Sequence, residues 1–273
     1  MPTKQEQTVS SHTLTKAISI DGQTIVFQLI SIGTTESPQL EYTLFSAEPI
    51  TEETQSTVVE RMTFFLSLKD DLQAFYHISR EDADFAPIIE ILYGYHQVKF
   101  LTPFENACWA VLTQRNPMKL AQKTKQALIE KYGNQLEVQG KVYRAFPEPI
   151  QIAVADYGEI LKVIRNDRRA EYLIATACAF SEVDDEFLKT AQDEEVEAWL
   201  RNIKGIGEWS ATFIMVRGLG RMEYLPLTET RLIEAASKVY GYGEELSRED
   251  LKRLAERYGA WLGYWAHYLR VGT

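Results

Sequence analysis

Two glycines in a four-residue turn constrain this chain more than any other feature. Residues 200–220 read LRNIKGIGEWSATFIMVRGLG, and the turn is Lys204-Gly205-Ile206-Gly207. Residues 194–203 before the turn have an apolar stripe at helical spacing, and residues 209–216 after it have another. Because the turn is too short for anything except a hairpin, the sequence predicts two tightly joined helices.

The residue types of this turn suit a phosphate group. Gly205 and Gly207 have no side chain to hold another backbone at a distance, and the amides that follow open the second helix. Gly205-Ile206-Gly207 resembles part of a dinucleotide-binding fingerprint, but that motif follows a strand, and a helix is predicted here. A helical hairpin that uses glycine for turn geometry alone remains an alternative.

At these residues the chain resembles the helix-hairpin-helix DNA glycosylases, and among them the branch of 3-methyladenine DNA glycosylase II. That branch has a hairpin close to I-P-G-I-G-x-W-T-A, which is matched by Ile203 to Ala211. The resemblance runs from about residue 100 to the end. Its further matches are Pro103-Phe104-Glu105, Trp109, Gln114, Ala170 to Leu173, Arg217 to Arg221, Leu225-Pro226 and Trp261 to Tyr268.

The chain in order predicts an α+β protein. Two strand-like runs flank Asp21-Gly22 within residues 16–32, and residues 40–47 alternate in polarity, which indicates a small N-terminal antiparallel sheet. Helical patterns dominate afterwards and predict a mostly helical, two-lobed body with a cleft between the lobes. We expect residues 1–98 to contain the sheet and first helices, and residues 99–273 to form the helix-hairpin-helix glycosylase domain.

The charge of the chain is unusual for a DNA-binding protein. The formal net charge is −10, whereas phosphate binding depends on Lys and Arg. Residues 99–144, however, contain eight basic and three acidic side chains, while residues 181–200 are strongly acidic. Because screening limits the reach of charges, the local sign matters more than the sum, and we expect weak non-specific affinity for DNA.

Cysteine usage and hydropathy exclude several classes of protein. Cys108 and Cys178, the only cysteines, provide neither a disulfide framework nor a metal clip, and an iron–sulfur cluster of the kind found in some relatives needs four thiolates. The four histidines show no ligand spacing. Since no apolar run is long enough to span a bilayer, we expect a cytoplasmic protein without a membrane partner. We also expect a monomer.

The resemblance assigns the catalytic carboxylate to Glu229, just beyond Leu225-Pro226. Cleavage of the bond between base and deoxyribose generates positive charge on the sugar, which a nearby carboxylate stabilises. The family has Asp at this position, and Glu adds a methylene. The alternative is that Glu229 is only an acid at a helix N-terminus, favoured by the helix dipole.

A second assignment concerns the type of glycosylase. Relatives that also cut the DNA strand form a Schiff base with a lysine near the start of the second hairpin helix, and Trp209 stands at that position. The resemblance therefore implies a monofunctional enzyme that leaves an abasic site. Lys204 lies within the turn and is either a phosphate contact or a solvated charge.

The remaining candidates would hold DNA or the extruded base. Aromatic rings can stack on an electron-poor alkylated purine, although most aromatics at helical spacing are core residues. The candidates for the base pocket are Trp209, Phe213, Trp265, Tyr224 and Trp109. Family positions place Gln114 and Arg115 where side chains enter the duplex, the alternative for Arg115 being a surface residue. The expected DNA contacts are Lys204, Gly205, Ile206, Gly207, Gln114 and Arg115.

No chemical cofactor is expected. In the family, hairpin carbonyls bind a structural monovalent cation, Na or K, and the matching carbonyls belong to Ile203 and Ile206. The resemblance thus implies a base-excision repair glycosylase that flips alkylated purines out of duplex DNA and hydrolyses the N-glycosidic bond. Two alternatives remain. One is a lesion-recognising relative that does not cleave, which is favoured by Glu at residue 229 and by the negative net charge. The other is a helical interaction protein without a DNA role.

Overall fold

A hairpin at Asp21-Gly22 organises the N-terminal sheet in the computed structural model, which describes residues 6–225, 227 and 229–273. Asp21 and Gly22 have φ angles of 49° and 81°, as a two-residue turn between twisted strands requires. The sheet is antiparallel in chain order and consists of β1 (Gln7–Val9), β2 (Thr13–Ile20), β3 (Gln23–Ser31) and β4 (Leu40–Ser46). The predicted sheet is confirmed.

Helices make up most of the remaining chain, with a short β-hairpin inserted after the fifth. The elements are α1 (Glu52–Phe65), α2 (Leu72–Arg80), α3 (Ala86–Ile91), α4 (Pro103–Thr113), α5 (Met118–Tyr132), β5 (Gln135–Val138), β6 (Lys141–Arg144), α6 (Pro149–Ala153), α7 (Tyr157–Ile164), α8 (Asp167–Glu182), α9 (Asp185–Thr190), α10 (Asp193–Asn202), α11 (Glu208–Arg217), α12 (Thr230–Tyr240), α13 (Arg248–Ala255), a 3₁₀ turn (Glu256–Trp261) and α14 (Leu262–Gly272).

Local signals account for several of these boundaries. The Thr51 hydroxyl accepts from the Thr54 amide at 3.1 Å and opens α1. Ser247 and Asp250 form a capping box at the start of α13. The 3₁₀ turn is kinked at Gly259, which has a φ of 46°. Among the described residues, no helix combines the length and apolar character needed to cross a membrane.

The chain divides into two compact units, each assembled from separate stretches. The first unit contains the chain up to Met62, Phe104–Asp184 and Ile203–Gly205. The second contains Thr63–Pro103, Asp185–Asn202 and Ile206–Thr273. The division at residue 98 stays a prediction about domains.

In the first unit, the N-terminal sheet packs against the β-hairpin formed by β5 and β6. Ala17 and Val26 of the sheet pack with Val138, Tyr143 and Ala145. The same unit contains an ionic network in which Lys125 contacts Glu105 at 2.7 Å and Glu6 at 2.9 Å, while Glu6 also pairs with Lys16. Each charge of the network therefore has an opposite partner, as burial requires.

The second unit has an aromatic core. Phe75, Tyr258, Tyr264, Trp265 and Tyr268 are almost fully buried and lie within ring-contact distance of one another. These residues fix α14 against α2 and the 3₁₀ turn. The core thereby holds the helix that carries part of the candidate site.

Candidate active site

The predicted hairpin is present as α10, a turn and α11. Val196 and Leu200 anchor α10, and the side chains of Ile203 and Ile206 are buried on either side of Gly205. Gly207 is the N-cap residue of α11, so no N-cap side chain covers the backbone amides of the first turn. A helix N-terminus with uncapped amides can bind an anion.

The two glycines of the turn lie in different structural environments. Gly205 has a φ of 94°, and a Cβ built there would lie 2.2 Å from Cγ of Tyr172, so the fold itself requires glycine. Gly207 has a φ of −93° and is exposed, and a Cβ there would meet nothing within 4 Å. The fold therefore permits a side chain at residue 207, and a requirement for glycine there must come from something outside this chain.

The loop after α4 is tied to the hairpin turn. Gln114 donates from Nε2 to the carbonyl oxygen of Gly205 at 2.7 Å, and Arg169 donates to the carbonyl oxygen of Gln114 at 3.3 Å. Arg115 follows in the left-handed region, at a φ of 45°, and its side chain is exposed. A left-handed non-glycine residue stores backbone strain, which is common at functional loops. The structure thus brings Gln114 and Arg115 to the turn.

Lys204 of the turn pairs with Glu171 of α8, and both side chains are about half exposed. An exposed pair of this kind contributes little stability, at most about 1 kcal/mol, and exchanges readily for another anion. The basic side chain of the turn is therefore available to a phosphate at small energetic cost.

An aromatic stripe follows one face of α11. Trp209 and Phe213 stack with ring centroids 5.3 Å apart and planes 5° from parallel. Phe213 meets Phe100 edge-on at 5.9 Å, and the guanidinium carbon of Arg217 lies 5.9 Å from the Phe100 ring centroid. Spacings of four residues along the helix place Trp209, Phe213 and Arg217 on one face. Both stacked rings are only half-buried.

Glu229 is the N-cap residue of α12, yet its carboxylate makes no capping hydrogen bond. Instead Oε2 accepts from Nη1 of Arg270 on α14, in a pair whose side chains are 21% and 22% exposed. The contact joins residues 41 positions apart. The side chain of Glu229 is thus directed into tertiary structure rather than serving its own helix.

Arg217 and His267 lie within electrostatic range of the ion pair between Glu229 and Arg270. Arg217 donates to the Val98 carbonyl, while its Nε is buried without a hydrogen-bond partner among the described residues. Burial and repulsion from Arg270 lower the pKa of Arg217 to about 10, against the opposing influence of Tyr95 and Glu229. Burial and the two arginines lower the pKa of His267 to about 3, so the imidazole is neutral.

The Tyr95 ring stacks on His267, with centroids 5.6 Å apart, and its hydroxyl lies 3.3 Å from Nε2. The sequence motifs assign no role to Tyr95, Arg217, His267 or Arg270. The sequence does contain an indication that Arg270 has a specific role, because this charged residue directly follows the apolar and aromatic run 261–269.

Two predicted pocket residues, Trp265 and Tyr224, contact other parts of the second unit, and the third, Trp109, belongs to the first unit. Trp265 is fully buried, stacks on Tyr258 at 5.4 Å and donates to the Tyr240 hydroxyl, so it has no free face for a base, and its assignment to the pocket is not supported. Burial and the acidic side chains Asp193, Glu197 and Glu194 raise the pKa of Tyr224 to about 12, which places its hydroxyl beside α10. Trp109 is half-buried on α4, and Pro226 of the matched Leu225-Pro226 step lies outside the described residues.

Comparison with known proteins identifies the family. The protein-family model of the HhH-GPD superfamily base excision DNA repair proteins matches residues 108–260, which is more than half of the chain. The chain belongs to this superfamily. The match includes the loop with Gln114, the hairpin and Glu229, whereas Tyr95, Phe100, His267 and Arg270 lie outside it.

Individual relatives are similar over most of their length. A DNA-3-methyladenine glycosylase of Bacillus subtilis is 23% identical over 264 residues, which is 96% of this chain and 86% of that protein. A 3-methyladenine DNA-glycosylase from Archaeoglobus fulgidus superposes with a TM-score of 0.83 at 22% identity, covering 97% of this chain and 88% of that one.

A more distant neighbour is a Clostridium acetobutylicum 8-oxoguanine glycosylase/lyase in complex with double-stranded DNA. Its TM-score is 0.69 at 19% identity, with coverage of 98% and 97%. At these identities the structural likeness shows the fold. The solved neighbours thus include proteins named for different bases, one of them a glycosylase/lyase.

Proposed function

We propose that this HhH-GPD protein is a monofunctional DNA glycosylase that excises alkylated purines from duplex DNA. The observation that carries the proposal is Glu229, an acidic side chain that does not cap its own helix and lies within electrostatic range of Arg217. Arg217 belongs to α11, the helix that also carries the half-exposed stack of Trp209 and Phe213. Similarity to proteins named DNA-3-methyladenine glycosylase supports the choice of alkylated purines.

In the proposed reaction the bond between C1′ and the base nitrogen breaks, and its electron pair leaves with the base. Positive charge then develops on the sugar, where the Glu229 carboxylate stabilises it until water attacks C1′ and loses a proton. The stacked rings of Trp209 and Phe213 would hold the extruded base. Trp209 has no amine for a Schiff base, which supports hydrolysis without strand cleavage.

DNA would be held chiefly by the hairpin. The uncapped amides that follow Gly207 and the Lys204 ammonium suit phosphate oxygens, and Gln114 and Arg115 project from a loop tied to Gly205. The Ile203 and Ile206 carbonyls accept no hydrogen bond from a backbone amide of the described residues, which fits oxygen ligands for a monovalent cation. Such a cation would supply positive charge for a neighbouring phosphate.

A second candidate function is recognition of lesions without cleavage. The pairing of Glu229 with Arg270 favours it, because a guanidinium beside the carboxylate weakens the negative field at the sugar. The third possibility, a helical protein without a DNA role, is disfavoured by membership of a base excision repair superfamily and by the tie between Gln114 and the hairpin.

The test is a single-turnover assay on duplexes that carry 3-methyladenine, 7-methylguanine, hypoxanthine or ethenoadenine. We expect release of at least one alkylated base and strand breaks only after alkali. Breaks without alkali would contradict a monofunctional enzyme, and lesion-selective binding without base release would support the recognition alternative. Sedimentation of the free protein and of its DNA complex tests the expected monomer.

A further inference from the structure

We propose that Arg270 is the positioning residue for the Glu229 carboxylate and that this anchor allows Glu to act where related glycosylases have Asp. The inference rests on the proposed function, since it assigns Arg270 a role in the same chemistry. Among the described residues, the Glu229 carboxylate forms its hydrogen bond with Arg270, through Oε2. No hydrogen bond from the described residues ends on Oε1, which leaves that oxygen for the sugar.

The length of the Glu side chain explains why an anchor is needed. Glu has one more rotatable bond than Asp, and an unrestrained carboxylate would sample several positions. A misplacement of about 1 Å can cost on the order of a hundredfold in rate. The α12 N-terminus does not restrain the carboxylate, because the N-cap side chain makes no hydrogen bond there. Arg270 supplies the restraint that the helix cap does not.

Arg270 itself is held by a rigid element. The preceding residues of α14, including Trp265, Tyr268 and Leu269, are fully buried, and α14 packs against α12. The guanidinium therefore emerges from a fixed helix end close to the start of the helix that Glu229 caps. Arg217 is no substitute, because it donates to the Val98 carbonyl and influences Glu229 only through its charge.

A competing interpretation predicts the opposite effect of removing Arg270. If the guanidinium merely neutralises Glu229, its loss should strengthen the attraction between the site and a cationic sugar. If it positions the carboxylate, its loss should weaken that attraction, because the charge remains but the geometry is lost. The sign of the change separates the two interpretations.

The first experiment therefore measures binding without cleavage. Two duplexes are compared, one with a protonated pyrrolidine in place of the target deoxyribose and one with neutral tetrahydrofuran. We expect wild type to prefer the pyrrolidine duplex, Glu229→Gln to lose the preference, and Arg270→Gln to reduce it at least ~10-fold. Arg270→Lys, which keeps a shorter cation, should restore part of it. An unchanged or larger preference in Arg270→Gln would overturn the proposal.

The matched control is Arg253→Gln, which removes an exposed arginine from a carboxylate pair with Asp250 in the same unit. It should leave the preference unchanged. Thermal unfolding of every variant shows that the compared proteins are folded, and Arg270→Lys gives a second variant if Arg270→Gln is unstable.

The second experiment is a double-mutant cycle of single-turnover excision with Glu229→Gln and Arg270→Gln. If Arg270 acts through Glu229, Arg270→Gln should slow the wild-type background at least ~10-fold and the Glu229→Gln background less than ~2-fold. Equal losses in both backgrounds would overturn the proposal. Absence of excision by wild type would instead count against the proposed function, while the pyrrolidine comparison would still decide the role of Arg270.

Discussion

Glu229 is the residue on which the proposed chemistry depends, and its surroundings define what each substitution would report. Its carboxylate faces one arginine directly and a second at longer range, while His267 nearby is held neutral. Removal of the carboxylate charge would leave two guanidinium groups without a counter-charge in this cluster. The effect on catalysis must therefore be measured together with binding and stability.

Glu229→Gln keeps the shape of the side chain and removes its charge. We expect cleavage to fall at least ~100-fold, which corresponds to about 2.7 kcal/mol of transition-state stabilisation, while lesion binding persists. Single-turnover rates and equilibrium binding on the same duplex provide the measurement. Equal rates for wild type and variant would show that Glu229 is not the catalytic residue.

His267 predicts a specific dependence of stability on pH. Its pKa is about 3 in the folded protein and about 6.5 when unfolded, because burial and then Arg217 and Arg270 disfavour the cation. The unfolded chain therefore binds more protons between these values, and the free energy of unfolding should fall as the pH drops below 6.5. We expect His267→Gln to lose about 2 kcal/mol less than wild type between pH 7 and pH 4.5. Urea unfolding at both pH values tests this, and identical losses would contradict it.

At the scale of elements, the hairpin separates residues that the fold needs from residues that a ligand would need. Gly205 lies in the left-handed region against Tyr172, whereas Gly207 has ordinary extended backbone and open space around it. The two glycines look equivalent in the sequence. Their environments make them a matched pair for mutagenesis.

Gly207→Val should reduce affinity for duplex DNA, damaged or not, at least ~10-fold, because a branched side chain would stand where a phosphate must approach the α11 amides. Its thermal stability should change little. Gly205→Val should instead lower stability, through a strained φ and a clash with Tyr172, by ~2 kcal/mol or more. Fluorescence anisotropy with DNA and thermal unfolding distinguish the two effects. Unchanged DNA affinity in a folded Gly207→Val variant would refute phosphate binding by the α11 amides.

The loop between α4 and α5 offers a second test at this scale. If Arg115 enters the duplex, Arg115→Ala should slow excision of a well-paired lesion much more than excision of a mismatched one, because a mismatched base is easier to extrude. Single-turnover rates on the two duplexes are compared, with Arg253→Gln as the control. Similar losses on both would mark Arg115 as a phosphate contact.

At the scale of the whole molecule, the net charge of −10 limits how strongly the protein can bind undamaged DNA. Exposed basic side chains at the turn, in the loop after α4 and at the start of α5, such as Lys204, Arg115 and Lys119, must provide the local positive charge. Few phosphate contacts produce a shallow dependence on salt. If non-specific affinity is low, discrimination between damaged and undamaged DNA would depend mainly on recognition of the extruded base.

A salt titration measures the number of these contacts. We expect the logarithm of the association constant for undamaged duplex to fall with the logarithm of salt concentration at a slope of about −3, and Lys204→Gln to reduce its magnitude by about 1. Glu171→Gln, which removes the intramolecular partner of Lys204, should leave the slope in place and raise affinity. A slope unaffected by Lys204→Gln would exclude Lys204 as a phosphate contact.

The sequence alone determined the features that depend on neighbours along the chain. The Asp21-Gly22 turn, the cap at Ser247 and the two helices around Gly205 follow from residue types and spacings within a few positions. The family could also be predicted, because the hairpin motif occupies consecutive residues.

Only the tertiary structure decided where side chains from distant segments meet. Arg270 contacts Glu229 across 41 positions, Gln114 reaches Gly205 across 91, and the same packing buries Trp265 in the aromatic core. A periodic pattern shows that a helix has a buried face, but it does not show which partner covers that face. Burial also lowers the pKa of both His267 and Arg217, since desolvation depends on packing from every side.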